Sequence, residues 1–147
     1  PDENYIWKPQ NLDRTERKNL ILSTNLPEII SGMTFSGMLT RTKTKNLNSG
    51  KTLQYVPEIS ATVMLRYTIN DIQLELQSKY VGERTYADKT LNPFQNVTAG
   101  VHYNFPAFKE SLQFHIIAEN LLNENTAFDP DYPEPGQAVK AGMTFKF

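Results

Sequence analysis

The chain has 147 residues, with 15 lysines and arginines against 16 aspartates and glutamates, for a net charge of -1. This balance gives no argument for a nucleic-acid partner, which normally requires a basic surface. The chain has no cysteine, which excludes disulfides and cysteine-based metal sites, and no apolar run near the roughly 18 residues of a membrane helix. It begins without a methionine or a signal-peptide pattern, so we expect a mature product or a fragment of a longer protein.

Alternating apolar and polar residues predict seven β-strands. Because successive side chains of a strand point to opposite faces, each segment would have one apolar and one polar side. The predicted strands cover residues 17–26, 31–42, 57–69, 72–83, 94–105, 111–121 and 137–147. Most are longer than the roughly five or six residues of soluble strands, and they match the roughly nine to eleven that a tilted membrane strand needs.

The connections between the predicted strands alternate between short and long. The short ones are Leu26–Ile30, Asn70-Asp71 and Pro106–Glu110, and the long ones cover residues 43–56, 84–93 and 122–136. Outer-membrane barrels have this asymmetry, with tight periplasmic turns and longer extracellular loops. The pattern predicts that the short turns and the carboxy-terminus share the periplasmic side.

The short connection Asn70-Asp71 predicts how the two strands that it joins are paired. If it is a two-residue hairpin loop, Arg66 lies directly opposite Glu75 on the polar face. We predict a lumen-facing charged pair with a structural role, and as the alternative a contact to a plug or a substrate.

The two histidines of the chain, His102 and His115, fall on the polar faces of adjacent predicted strands. If Phe105 pairs with Leu112, the two imidazoles oppose each other and could share a transition metal or bind haem iron. Two ligands make an incomplete site, so the structural role is the simpler expectation. Metal titration with and without His102 distinguishes the two.

Two long connections are charged. Arg41, Lys43, Lys45 and Lys51 make one basic, and Glu124, Asp129, Asp131 and Glu134 make the other acidic. The acidic one lacks the ligand spacing of a calcium loop, so we interpret both as solvated. The chain has no nucleophile elbow, HExxH or phosphate-binding glycine loop. We therefore expect no enzyme and no cofactor.

The last eleven residues have the clearest alternation, and they end on an aromatic residue. Val139, Ala141, Met143, Phe145 and Phe147 form an unbroken apolar row. In a membrane barrel this row faces lipid, and terminal aromatics lie at the interface. The sequence therefore predicts an all-β fold, an antiparallel transmembrane β-barrel whose polar rows line a lumen.

The carboxy-terminal motifs resemble those of TonB-dependent outer-membrane receptors. Glu119-Asn120-Leu121-Leu122-Asn123 is similar to the family's x-N-L-[LF]-[ND], and Tyr132-Pro133-Glu134-Pro135-Gly136 to its YPxPGR, with Gln137 in place of the arginine. Upstream, Lys79-Tyr80-Val81-Gly82-Glu83-Arg84 resembles xYxGxR. The first predicted strand departs most, because Lys18-Asn19-Leu20 replaces the family's glycine–glutamate pair.

This resemblance implies that residues 1–147 are the C-terminal segment, about seven strands, of a plugged barrel of about 22 strands. The plug and the earlier strands would be absent. The implied function is active uptake of a scarce ligand, such as a ferric siderophore, haem or cobalamin, across the outer membrane of a Gram-negative bacterium. The implied partners are outer-membrane lipid, the TonB complex through the absent plug, the transported ligand, and the barrel-assembly machinery, with Phe145 and Phe147 as its signal. No motif identifies the ligand.

Two alternatives remain open at this point. One is a complete eight-stranded outer-membrane barrel with a structural or adhesion role, whose eighth strand would be residues 4–12. The other is a soluble β-sandwich that serves as a binding module. A seven-strand piece has two unpaired edges, so we predict that this segment self-associates when made alone.

Overall fold

A computed structural model describes residues 14–86, 89–108, 112–126, 132 and 134–146. The predicted eighth strand at residues 4–12 lies outside these residues. Within them the chain forms β1 (Thr15–Ile30), β2 (Met33–Asn46), β3 (Ile59–Ile69), β4 (Ile72–Val81), β5 (Arg84–Tyr86), β6 (Lys89–Leu91), β7 (Phe94–Asn104), a 3-10 turn (Pro106–Phe108), β8 (Leu112–Glu119) and β9 (Ala138–Phe145).

Seven of the strands form one antiparallel sheet in the order β1-β2-β3-β4-β7-β8-β9. Each strand of the sheet pairs with the next one along the chain, so the sheet is a simple meander with β1 and β9 at its edges. The predicted all-β antiparallel fold is confirmed, and the seven predicted strands correspond to β1–β4 and β7–β9. Among the residues that the structure describes, no helix is long and apolar enough to cross a membrane.

The prediction of a short connection at Leu26–Ile30 is wrong. β1 continues through Pro27 to Ile30, and its register with β2 shifts between Leu26 and Ile30. Proline has no N–H to donate, but an edge strand or a bulge tolerates it, and β1 provides both. The turn itself is Ser31-Gly32, and Gly32 has a φ of 78°.

The connection between β4 and β7 contains structure that the sequence did not predict. Here β5 and β6 form a separate two-stranded hairpin. The hairpin is bound to the β2–β3 connection, because Tyr55 N donates to Thr85 O at 2.9 Å and the Tyr55 and Tyr86 rings lie 5.0 Å apart. Strands of three residues are too short to show an alternation, which explains why the prediction missed them.

In a water-soluble protein the apolar side of a sheet is buried and the polar side is exposed. This sheet shows the reverse. On β4 the apolar side chains Ile72, Leu74 and Leu76 are 40–46% exposed, while the polar Gln73 and Glu75 between them are half-buried. We call these the apolar face and the polar face. In the described part of the chain, Val81 and Phe94 are the only buried apolar residues, and no second layer covers the apolar face. A β-sandwich, in which two sheets cover each other's apolar faces, is therefore not the fold.

Candidate functional site

The polar face is a continuous surface because the register aligns the polar rows of neighbouring strands. Across β2, β3, β4 and β7 one row runs through Thr34, Arg66, Glu75 and Gly100. The next row includes Thr68, Gln73, His102 and His115. Apolar exceptions on this face include Ile21, Met38, Met64, Val81, Phe94 and Ile117. A surface of this kind suits contact with water or with a polar partner, not with hydrocarbon.

Arg66 and Glu75 lie directly opposite each other, as the two-residue turn predicts. The register pairs Ile69 with Ile72 and Arg66 with Glu75, and Arg66 Nε lies 2.7 Å from Glu75 Oε2. The side chains are 48% and 25% exposed, so solvent weakens the attraction. The pair joins two strands, and its predicted role toward a plug or a substrate stays a prediction.

A double-mutant cycle measures what this ion pair contributes to stability. We expect a coupling of about 0.5–1 kcal/mol between Arg66→Gln and Glu75→Gln, because cross-strand charge pairs that are partly exposed fall in this range. The measurement is the free energy of unfolding of the detergent-solubilised native protein in urea. If Arg66→Gln lowers ligand uptake while stability stays unchanged, the structural role is wrong and the contact to a partner is favoured.

The two histidines also lie opposite each other, on β7 and β8. Their ring centroids are 5.9 Å apart and the rings are tilted by 37°. Each ring lies close to a glycine. A Cβ atom would be 3.3 Å from His102 Nε2 at Gly100, and 2.5 Å from His115 Nε2 at Gly142. Glycine at these positions lets the imidazoles lie low on the polar face.

The arrangement supplies two imidazole ligands. Across the described ranges, no group of three or more histidine, cysteine, aspartate or glutamate side chains could hold a metal ion. Metal binding by His102 and His115 therefore stays a prediction. The described geometry gives the two rings a packing role, against each other and against the two glycines.

The motif Glu119–Asn123, here called the Asn120 motif, lies at the end of β8. Its Asn120 side chain holds the backbone of Glu124, and we call this contact the clamp. Asn120 is 2% exposed with a φ of 50°, and its side chain binds the backbone of Glu124 twice, donating to its carbonyl at 2.9 Å and accepting from its N–H at 3.1 Å. The Glu124 carboxylate then accepts from Gln95 N at 2.6 Å. The motif thus ties the β8–β9 connection to the start of β7.

The other motif residues surround this clamp or lie outside the described ranges. Leu121 N donates to Val97 O at 2.9 Å, and Leu121 O accepts from the Gln137 side chain at 3.0 Å. Leu122 and Asn123 are exposed. A Cβ at Gly136 would lie 3.2 Å from Asn123 Oδ1. The side chains of Tyr132 and Phe145 are 73% and 57% exposed. Pro133 and Phe147 lie outside the described residues.

Arg84 is a candidate ligand-binding residue. The sequence indicated it only as the last residue of the motif that resembles xYxGxR. It is 3% exposed, and its guanidinium lies 5.0 Å from the centre of the Phe94 ring. Burial lowers the pKa of Arg84, although a guanidinium stays protonated near neutral pH. Gly82, two residues earlier, is required for the close approach of β4 to β3, because a Cβ there would lie 2.7 Å from Ile59 O.

A cavity of about 380 Å³ opens beside Arg84 at the end of the sheet where the longer connections lie. Its lining residues are Arg84, Leu91, Asn92, Pro93, Phe94, Glu124 and Asn125. The cavity places a buried cation, a carboxylate and an aromatic ring around one space. This combination suits a polar small molecule, and no part of the sequence pattern alone indicated it.

A single sheet of long strands with an exposed apolar face and a half-buried polar face defines a class, the transmembrane β-barrel. No family model matches the chain, and no curated protein matches its sequence. Its fold is similar to that of solved structures, among them a mutant of the ferric enterobactin receptor from Pseudomonas aeruginosa in complex with enterobactin, with a TM-score of 0.71 at 20% identity.

The similarity covers 85% of this chain but 22% of that receptor. The resemblance to TonB-dependent receptors is thereby confirmed in the fold, and the chain has the fold of part of an outer-membrane receptor barrel. It spans about a fifth of the length of the receptor that it resembles.

Proposed function

We propose that the chain is the C-terminal segment of the barrel of a TonB-dependent receptor in a Gram-negative outer membrane. The whole protein would take up a scarce ligand, such as a ferric siderophore, haem or cobalamin, with energy from the TonB complex. The plug that contacts TonB would belong to the part of the protein that precedes this segment. The segment would act as a receptor wall and not as an enzyme.

The observation that carries this proposal is the exposure of the two faces. An apolar face with Ile72, Leu74 and Leu76 at 40–46% exposure is costly in water, at about 25 cal/mol per Å² of apolar surface. In lipid the same face is solvated by acyl chains, while the polar face with Gln73 and Glu75 remains in the lumen. The fold similarity to a receptor barrel agrees with this assignment of the faces.

The loops support the orientation. The connections after β2, β4 and β8 are longer than those after β1, β3 and β7, and they lie together at one end of the sheet. Long loops are extracellular in outer-membrane barrels, so the cavity beside Arg84 would open toward the outside. That position suits a first contact with an incoming polar ligand. Phe145 and Phe147 would lie on the periplasmic side and serve as the barrel-assembly signal.

An immunoblot of fractionated cells with an antibody to this segment tests the proposal. We expect a band in the outer-membrane fraction that is several-fold heavier than the 16.8 kDa of this chain, as a plug and about 22 strands require. A band of the chain's own size would contradict a receptor and favour the small eight-stranded barrel. A band confined to the soluble fraction would contradict both.

Uptake by a deletion strain then identifies the class of ligand. The strain should lose the uptake of one labelled compound from a panel of ferric siderophores, haem and cobalamin, and the intact gene should restore it. Unchanged uptake of every compound would limit the proposal to a membrane barrel.

A further inference from the structure

A cluster of basic side chains lies on the outer surface of the β1–β2 hairpin. The register pairs Leu20 with Arg41, Lys18 with Lys43, and Glu16 with Lys45. Side chains alternate along a strand, so these residues share the face of Leu22 and Leu39, which is the apolar face. We call Lys18, Arg41, Lys43 and Lys45, together with Glu16, the basic cluster; all five side chains are exposed.

The basic cluster begins where the apolar face ends. The last row of β3 pairs Ile59 with Arg41, and beyond it the described sheet continues as β1 and β2 alone. At about 3.4 Å per residue and a tilt near 40°, Lys43 would lie roughly 5 Å, and Lys45 roughly 10 Å, beyond Arg41 along the membrane normal. Headgroups occupy roughly the first 5–8 Å beyond the hydrocarbon, so in the proposed barrel Lys18 and Lys43 would lie at headgroup level.

The charges of the basic cluster do not balance. Lys18 Nζ lies 2.8 Å from Glu16 Oε1. Glu16 is the only carboxylate of the basic cluster, which has four cations. Lys18 also lies directly opposite Lys43, and like charges in that position destabilise a strand pair. An anion bound between the two ammonium groups would remove this repulsion. A membrane would supply such an anion as lipid phosphate, directly above the acyl chains that would contact Leu20 and Leu22.

We propose that the basic cluster binds the phosphate groups of anionic lipids in the outer leaflet, and so fixes the height of the β1–β2 part of the barrel in the membrane. The inference rests on the proposed membrane barrel and on its orientation. It assigns a role to the basic stretch that the sequence alone indicated only as a solvated loop.

Lipid binding to the native protein in detergent tests this inference. The probes are phosphatidylglycerol and phosphatidylcholine with identical acyl chains, and native mass spectrometry counts the lipids bound at low ionic strength. Each cation near a membrane surface contributes about a five-fold gain in anionic-lipid binding. Lys43→Gln should therefore weaken phosphatidylglycerol binding about five-fold and Lys43→Gln/Lys45→Gln about 25-fold. Glu16→Gln should strengthen it, and phosphatidylcholine binding should not change.

Lys79→Gln is the matched control. Lys79 is also an exposed lysine of the sheet, but it lies on the polar face, opposite Thr62 and Asn96. Its loss should leave phosphatidylglycerol binding unchanged. Equal effects of Lys43→Gln and Lys79→Gln, or equal binding of the two lipids, would overturn the basic-cluster inference while the barrel stands. Absence of any bound lipid, together with a soluble native protein, would instead overturn the proposed membrane barrel.

Discussion

Replacing Gly32 by alanine should destabilise the protein by about 3 kcal/mol. Gly32 forms the β1–β2 turn with a φ of 78°, a conformation that costs an L-residue roughly 1–2 kcal/mol. A Cβ at Gly32 would also lie 2.3 Å from Thr68 O, which is a backbone atom and cannot rotate away. The turn would have to shift, and with it the 2.8 Å hydrogen bond from Thr68 N to Gly32 O. Overpacking of this kind adds about 1–3 kcal/mol.

Gly50 provides a control with nearly the same backbone. Its φ is 72°, but no atom lies within 4 Å of the place where its Cβ would be. Gly50→Ala should therefore cost only about 1 kcal/mol, the conformational part of the effect. The measurement is the urea midpoint of the native protein in detergent for both variants. Equal losses would show that the contact with Thr68 does not constrain the turn.

The register of the polar face is the part of the structure that the sequence determined best. A two-residue turn at Asn70-Asp71 leaves one way to pair β3 with β4, and so places Arg66 opposite Glu75. Pairing Phe105 with Leu112 likewise places His102 opposite His115; the structure has that histidine pair, and Phe105 N donates to Leu112 O. Because a slip of one residue would turn every side chain to the other face, alternation and turn length together fix the pairing.

The environment of Arg84 could not be predicted in the same way. Arg84 packs against Phe94, ten residues later, and lines the same cavity as Glu124, forty residues later. Neither relation repeats along the chain, so no periodicity indicates it. The β5–β6 hairpin that carries Arg84 has strands of three residues, which give no alternation. Sequence patterns thus determine the wall of the barrel, whereas the structures in its loops depend on individual contacts between distant residues.

The Asn120 motif could be predicted in part: its position follows from the sequence, but its contacts do not. The resemblance identified Asn120, Leu121, Leu122 and Asn123 without saying what they do. In the structure two of them, Asn120 and Asn123, have left-handed backbones, with φ values of 50° and 53°. Asparagine adopts this conformation more readily than most residues, so the backbone alone explains an asparagine at both positions. It does not explain why Asn120 is buried and Asn123 is exposed.

Asn120→Ala and Asn123→Ala separate the backbone effect from that of the clamp. Both replacements put alanine into a left-handed conformation, which should cost about 1 kcal/mol each. Asn120→Ala also removes the two hydrogen bonds to the Glu124 backbone, at about 1 kcal/mol each, for a total near 3 kcal/mol. The measurement is again unfolding in urea, with proteolysis of the β8–β9 connection as a local probe.

The clamp also predicts where the damage should appear. Without the Asn120 amide, Glu124 loses the two bonds that hold its backbone, and its carboxylate can leave the N–H of Gln95, 2.6 Å away in the structure. The β8–β9 connection should then be cleaved faster in Asn120→Ala than in Asn123→Ala, while the β1–β2 hairpin is unaffected. Glu124→Gln keeps the backbone bonds and weakens only the contact to Gln95, so it should give an intermediate rate. If Asn120→Ala and Asn123→Ala were cleaved equally fast, the motif would serve the backbone turn alone.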